Sequence, residues 1–350
     1  MKGAAMKKST VFFAVLLILA APAFSGVVKK TKSEVTFRGF GKFSLTQSDK
    51  LTADQRWTNS LSDFKGQGIA GSLAGKTVLR SGDTGEIVDL PASTVYRLDN
   101  KKKEYTVSPI EKLKEEKVQE SKAGETAEEE KEAESKIRIT KNEFQVEDTG
   151  EESTINNFPV RKYLVLWLLE WEDIETKEKG SSRLETVTWT TPISDSMKKA
   201  QEEEMKFSRA YLEKIGLELE KKDQDVLGAS WMALLDSFGQ AKGRPRHDFS
   251  KAEAEMKKIK GYPIVIDGKY FVSSEKPAGA AAEAEEEPAA TDIKGRLGGM
   301  LKKTLKKKPA DAGTAANEPV LAYRTEVLEI STPDLGAGDF QVPAGYKKKG

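Results

Sequence analysis

The sequence predicts an α+β protein that is mainly antiparallel β-sheet, and three observations point that way. Residues 163–171, Tyr-Leu-Val-Leu-Trp-Leu-Leu-Glu-Trp, form the most apolar run outside the N-terminus. As a strand the run puts Tyr163, Val165, Trp167, Leu169 and Trp171 on one face, with Leu164, Leu166 and Leu168 on the other. A strand apolar on both faces belongs inside a structure, covered on both sides. The run then leads through Thr176-Lys-Glu-Lys-Gly180 into residues 184–191, which alternate with period two and are rich in β-formers. Third, residues 195–219 place Met197, Met205, Leu212, Ile215 and Leu219 close to one helical stripe. Periodicity alone also permits a helix over 163–171, because Tyr163, Trp167 and Trp171 fall at i, i+4 and i+8 and Pro159 is placed to start one. The shortness of the run and its alternating neighbour favour the strand.

Taken in order, residues 1–25 read as an export signal. Lys2, Lys7 and Lys8 form a basic start, Val11 to Ala20 is unbroken apolar sequence, and small residues at Ala21, Ala23 and Ser25 suit cleavage after Ala23 or Ser25. The apolar stretch is too short to remain as a membrane span. Met1 and Met6 serve equally well as the start. The chain has no cysteine, which excludes a lipidated N-terminus, disulfides and thiolate chemistry. A periplasmic or secreted protein is the expectation. Of 57 basic and 56 acidic residues, three lysines lie in this signal, so the exported chain has a net charge near −2. That balance gives no electrostatic case for nucleic acid.

Residues 26–275 are expected to form one domain. Residues 35–45 alternate, with Val35, Phe37, Phe43 and Leu45 on one face and Gly39 and Gly41 marking a bend or close approach. Short strands are predicted at 78–80, 86–90, 94–98 and 104–107, the last two joined by a turn at Asp99-Asn-Lys-Lys-Lys103. Residues 111–136 are a charged, low-complexity insert, either a solvated helix or a disordered loop. Strand signals resume at 137–139 and 144–146, and Asn156-Asn157 breaks the chain before the apolar run. After the helix at 195–219, further helices are predicted at 226–238, around Trp231, Leu234, Leu235 and Phe238, and at 249–260. Residues 264–272 read as a hairpin with a type I′ turn at Asp267-Gly268. Residues 276–318 are Ala/Glu/Pro-rich linkers around a basic amphipathic segment at 293–308. Residues 319–350 supply a closing strand at 320–330 and a tail that belong to the same domain.

Several of these stretches together resemble a family of exported bacterial proteins. They are Thr94-Val-Tyr-Arg-Leu-Asp with Glu104-Tyr-Thr-Val, Thr154-Ile-Asn-Asn-Phe-Pro-Val-Arg-Lys-Tyr163, Trp189-Thr-Thr191 and Phe340-Gln-Val-Pro-Ala-Gly-Tyr346. The family shares a domain of unknown function related to the periplasmic lipoprotein-carrier fold; where its members often carry Gly and Cys, this chain has Asn157 and Val160. The resemblance implies an incomplete β-barrel wrapped around helices, with an apolar concave face. In the lipoprotein carriers that face takes up acyl chains. By that analogy the candidate ligand-binding residues are Phe37, Phe43, Tyr163, Val165 and Trp167.

Motifs for catalysis fail on context. Ala70-Gly-Ser-Leu-Ala-Gly-Lys-Thr77 fits a relaxed phosphate-loop pattern, but no apolar strand enters it and no helical pattern leaves it. Asp83-Thr84-Gly85 and Asp148-Thr149-Gly150 evoke the paired aspartates of a protease, yet each is followed by Glu and reads as turn chemistry. His247 is the single histidine, which leaves no zinc-site pattern. Gly228-Ala-Ser-Trp-Met232 lacks the second glycine of a nucleophile elbow. No enzyme and no cofactor are expected.

The segment at 293–308 is more informative. On a helix Ile293, Leu297, Met300, Leu301 and Leu305 form one stripe among seven basic side chains. Gly295, Gly298 and Gly299 each cost about 1 kcal/mol of helix stability, so the helix is expected to need a surface on which to fold. Arg296, Leu297, Leu301, Lys302, Lys303 and Leu305 are the candidate contacts to an anionic membrane. A solvated insert fits the composition as well. The partner expected from sequence is an apolar ligand or an envelope protein. The alternative is a structural or interaction protein of the envelope with a filled core and no small ligand.

Overall fold

A computed structural model describes residues 24–68, 71, 72, 75, 81–112, 137–217, 250–275 and 318–349. In chain order the elements are β1 (Phe24–Ser25), β2 (Val27–Phe37), β3 (Gly41–Leu51), β4 (Gln55–Gly66), β5 (Gly82–Asp89), β6 (Thr94–Asp99) and β7 (Glu104–Pro109). Then come β8 (Ile137–Ile155), β9 (Phe158–Asp173), β10 (Lys179–Thr191), α1 (Asp195–Lys214), α2 (Ser250–Met256), β11 (Tyr262–Glu275), β12 (Leu321–Ser331), β13 (Asp334–Leu335) and β14 (Lys347–Lys348). Among the described residues twelve strands form one sheet in the order β14-β7-β6-β5-β4-β3-β2-β12-β11-β10-β9-β8. Every pairing in it is antiparallel except the short parallel contact of β14 with β7. The outermost strands, β14 and β8, do not meet, so the sheet is open rather than closed into a barrel. It consists of two meanders, β2 to β7 and β8 to β11, joined by β12.

Turn chemistry sets the strand ends. Asn156 and Asn157 both take positive φ, 50° and 67°, the pair of left-handed residues that a two-residue hairpin between β8 and β9 requires. Gly39, at φ 72°, turns β2 into β3, so residues 35–45 are two strands and not the one that alternation suggested. Asp267-Gly268 corrects in the opposite direction. No turn forms there, and β11 runs unbroken, with Gly268 opposite Thr186 on β10 and Tyr323 on β12. A Cβ on Gly268 would stand 2.2 Å from the Tyr323 ring. The glycine is there so that the ring can cross it and reach Thr186, whose Oγ1 lies 3.2 Å from the Tyr323 hydroxyl. Burial pushes the Tyr323 phenol up to about 12, against the opposing effect of that hydrogen bond. Asp83-Thr84-Gly85 is likewise inside β5 and not a turn. Asp148-Thr149-Gly150 falls at a bulge of β8, with Gly150 at φ 70°.

Two sheet faces follow from the register, because directly opposed residues share a side. One face carries α1 and α2. Ser194 caps α1 by accepting from Met197 N–H, and Leu217 and Gly216 return N–H bonds to Leu212 and Glu213 in a Schellman ending. The helix is therefore shorter than predicted and stops at Lys214. Its buried residues are Met197, Ala200 and Phe207; of the stripe read from the sequence Met197 is buried, Met205, Leu212 and Ile215 are half-buried, and Leu219 lies outside the described residues. Phe207 and Ala200 close over Val27, Leu51, Val88, Leu90 and Val95. Beneath the helix Lys29 Nζ meets Glu204 Oε1 at 3.0 Å. Burial opposes the charge on Lys29, but Glu204 and Tyr262 more than offset it and raise its pKa. At the far end α2 and the residues after it lay Met256 and Ile259 over Tyr163, Val165 and Val146.

The opposite face receives the closing tail over the first meander. Leu335, Phe340, Val342 and Tyr346 pack on Ile87, Leu98, Trp57, Tyr96 and Tyr105. Asp339 Oδ1 takes a 2.7 Å bond from Lys50 Nζ, which holds its carboxyl below the usual range, and Tyr346 donates to Asn100 Oδ1. The long edge strand β8 is blunted as well. Glu255 accepts the outward N–H of Val146 at 2.9 Å, and bulges interrupt the strand between Ile139 and Lys141 and between Asp148 and Glu152.

Candidate functional site

The candidate site lies on the tail face, over the second meander, where the tail does not reach. Register builds it in two rows. Glu147, Leu164, Val187 and Asp267 stand side by side across β8, β9, β10 and β11. Gln145, Leu166, Glu185 and Lys269 form the next row. Three of the four middle positions are Leu164, Val187 and Leu166, the fourth is Glu185, and the outer ones are polar, so the sheet holds a trough of about 420 Å³ with a largely apolar floor and a polar rim. Leu164 is 37% exposed, although it lies in the middle of a strand paired on both sides. A volume of this size falls in the range of small-ligand pockets.

The rim is electrostatically settled. Asp267 Oδ2 pairs with Arg324 at 3.1 Å, and Glu185 Oε1 with Arg183 at 2.9 Å. Among the described residues no group of three His, Cys, Asp or Glu side chains is placed to hold a metal ion. What the arrangement offers is apolar contact along two strands and hydrogen-bonding groups at its margins.

The five ligand residues named from the sequence all fall on the helix face, in separate places. Tyr163 and Val165 are 2% exposed, packed with Val146 under Met256 and Ile259. Trp167 lies with Leu184, Phe144, Tyr270 and Tyr323, and its Nε1 donates to Asn142 Oδ1 at 3.0 Å. Phe37 and Phe43 belong to another cluster, with Phe40 and Phe64. Strands β10, β11, β12 and β2 separate Phe43 from Trp167. A row of opposed residues does connect the two regions: Val165, Thr186, Gly268, Tyr323, Val35 and Phe43. It is filled by the Tyr323 ring. Arg296, Leu297, Leu301, Lys302, Lys303 and Leu305 lie outside the described residues, as do 78–80, 113–136, 226–238 and His247.

Sequence reasoning missed Leu164, Leu166 and Val187 as a surface. The signal was present, since β9 is apolar on its second face too, but that face was assigned to a second covering layer. The described structure provides such a layer over the first meander only. The chain matches no protein-family model, no curated protein and no solved structure. Among the described residues no helix is long and apolar enough to cross a membrane.

Proposed function

We propose that this is an exported, non-enzymatic envelope protein that takes an apolar chain, such as an acyl chain, into the trough floored by Leu164, Leu166 and Val187. The observation that carries this reading is the exposed apolar floor of the second meander with its polar rim. An open antiparallel sheet with helices on one face also supports the incomplete-barrel reading. The ligand surface then belongs to the side away from the helices, while Tyr163, Val165 and Trp167 serve as core. Each buried CH₂ contributes about 0.8 kcal/mol, so a chain along both strands gains enough to offset its ordering cost.

Leu166→Glu places a carboxylate on the trough floor at a half-exposed position. It is expected to weaken binding of a fluorescent fatty acid at least tenfold and to leave thermal unfolding within a few degrees of the parent. Equal affinity in parent and variant would remove the trough from the reading. A parent that binds no apolar probe, yet is recovered with another envelope protein, would favour the second reading, an interaction protein without a small ligand. The nearly complete burial of Tyr163 and Trp167 is what favours that reading.

Export has its own check. Phe24 and Ser25 pair with Leu335 and Asp334, which favours cleavage after Ala23, since that cut keeps β1. N-terminal sequencing of protein from the envelope fraction is expected to begin at Phe24. Recovery of an intact Met1 or Met6 would refute the compartment.

A further inference from the structure

Two lysine triplets far apart in the chain are brought to one end of the sheet. Lys101, Lys102 and Lys103 form the turn between β6 and β7. Lys347, Lys348 and Lys349 run alongside the start of β7 and are fixed there by the backbone. Lys347 N–H donates to Lys103 O at 2.9 Å and Lys349 N–H to Tyr105 O at 2.8 Å. Neighbouring strands lie about 4.8 Å apart, and all six lysines are exposed. Among the described residues the acids at this end are Asp99, which pairs with Lys102 at 3.0 Å, Glu104, and Asp83 beside Asn100. The six ammonium groups therefore stay in excess, on a chain whose overall charge is only +1.

We propose that this six-lysine end of the sheet is a docking surface for an anionic phospholipid membrane. Like charges repel, and the fold holds the two triplets together all the same, through main-chain bonds of β14. Lysines that protect a sheet edge lie on the edge strand itself; three of these lie in a turn. Neither triplet contains an arginine. Lysine is a compact, hydrated point charge on a flexible stem, suited to a diffuse headgroup layer, whereas phosphate forks and base edges favour arginine. Single-stranded nucleic acid would also need free aromatic faces. Here the Tyr96 and Tyr105 rings lie against each other under the tail, and the Tyr346 hydroxyl is bound to Asn100. Val107, 37% exposed on β7, offers an apolar contact beside the charges.

The test uses the full chain in co-sedimentation with vesicles of phosphatidylglycerol and phosphatidylcholine, against phosphatidylcholine alone. Membrane attraction is worth about fivefold in affinity per lysine at low salt. K101Q/K103Q/K348Q/K349Q is therefore expected to lose at least a hundredfold in binding to the anionic vesicles, with thermal unfolding unchanged. A variant lacking residues 293–308 separates this surface from the basic segment and is expected to keep most of the binding. Full binding by the quadruple variant, or binding abolished by the deletion alone, overturns the proposal. So does a parent protein that is retained on DNA-cellulose and ignores the vesicles.

Discussion

Trp167→Ala is expected to lower the free energy of unfolding by about 3–5 kcal/mol and to leave uptake in the trough intact. The side chain is 5% exposed, beside Leu184, which is fully buried, and under Met256. Its removal leaves a cavity in a layer that α2 and the strands cannot jointly collapse, because Phe144, Tyr270 and Tyr323 are each held by other contacts. The lost bond to Asn142 is minor, since Asn142 is exposed and water replaces the partner. Urea unfolding of parent and variant, with fatty-acid titration of both, separates the two faces of β9. A variant of near-parent stability that no longer binds would return the ligand site to the aromatic face.

Removing residues 332–350 is expected to cost more than any single substitution. Leu335 and Phe340 are 4% and 6% exposed, and burying each such side chain contributes about 1.5–3 kcal/mol. Val342 and Tyr346 add to this, and the Lys50–Asp339 pair disappears with them. The deletion also uncovers Ile87 and Leu98, now 0% and 3% exposed, and makes a contiguous apolar patch of the kind that drives association. The sum exceeds about 5 kcal/mol, comparable with the whole stability of many domains. Circular dichroism and soluble yield are expected to show an unfolded or aggregated chain. Phe340→Ala is the milder companion, expected to fold with a loss of about 3–5 kcal/mol. A truncated chain that melts where the parent does would make the tail a mere appendage.

Much of the sheet was legible because local chemistry dictates it. The Asn156-Asn157 turn, the β6–β7 hairpin and the strand nature of residues 163–171 follow from φ preference and period. The misreadings share a cause: the meaning of a glycine depends on its neighbours across the sheet. Gly39 turns the chain, while Gly268 stays in strand because Tyr323 needs the space above it. Nothing local to Asp267-Gly268 reports a tyrosine more than fifty residues ahead. The aromatic ligand site had the same weakness. Tyr163, Val165 and Trp167 share a face, as alternation requires, but whether that face is lined or filled depends on Met256, Ile259 and Tyr323, which only the tertiary fold brings there. The trough was the converse case, readable as an apolar second face but not as an uncovered one.

The position of β12 between the two meanders has a consequence for how the chain reaches this state. Its partner β2 lies near the start of the sequence, and Ser33 meets Thr325 at a sequence separation of 292. Contacts of such separation form late, because the entropy of closing the loop is lost before the pairing compensates it. During synthesis the first meander and then the second can assemble, each leaving unpaired the margin that β12 later covers, β2 and β11 respectively. The continuous sheet exists only once residues 321–331 have been made and threaded between them. Until then the chain is two separable half-sheets. A nick or premature stop within β12 would therefore leave two bare edges in search of partners, and not a slightly weakened whole.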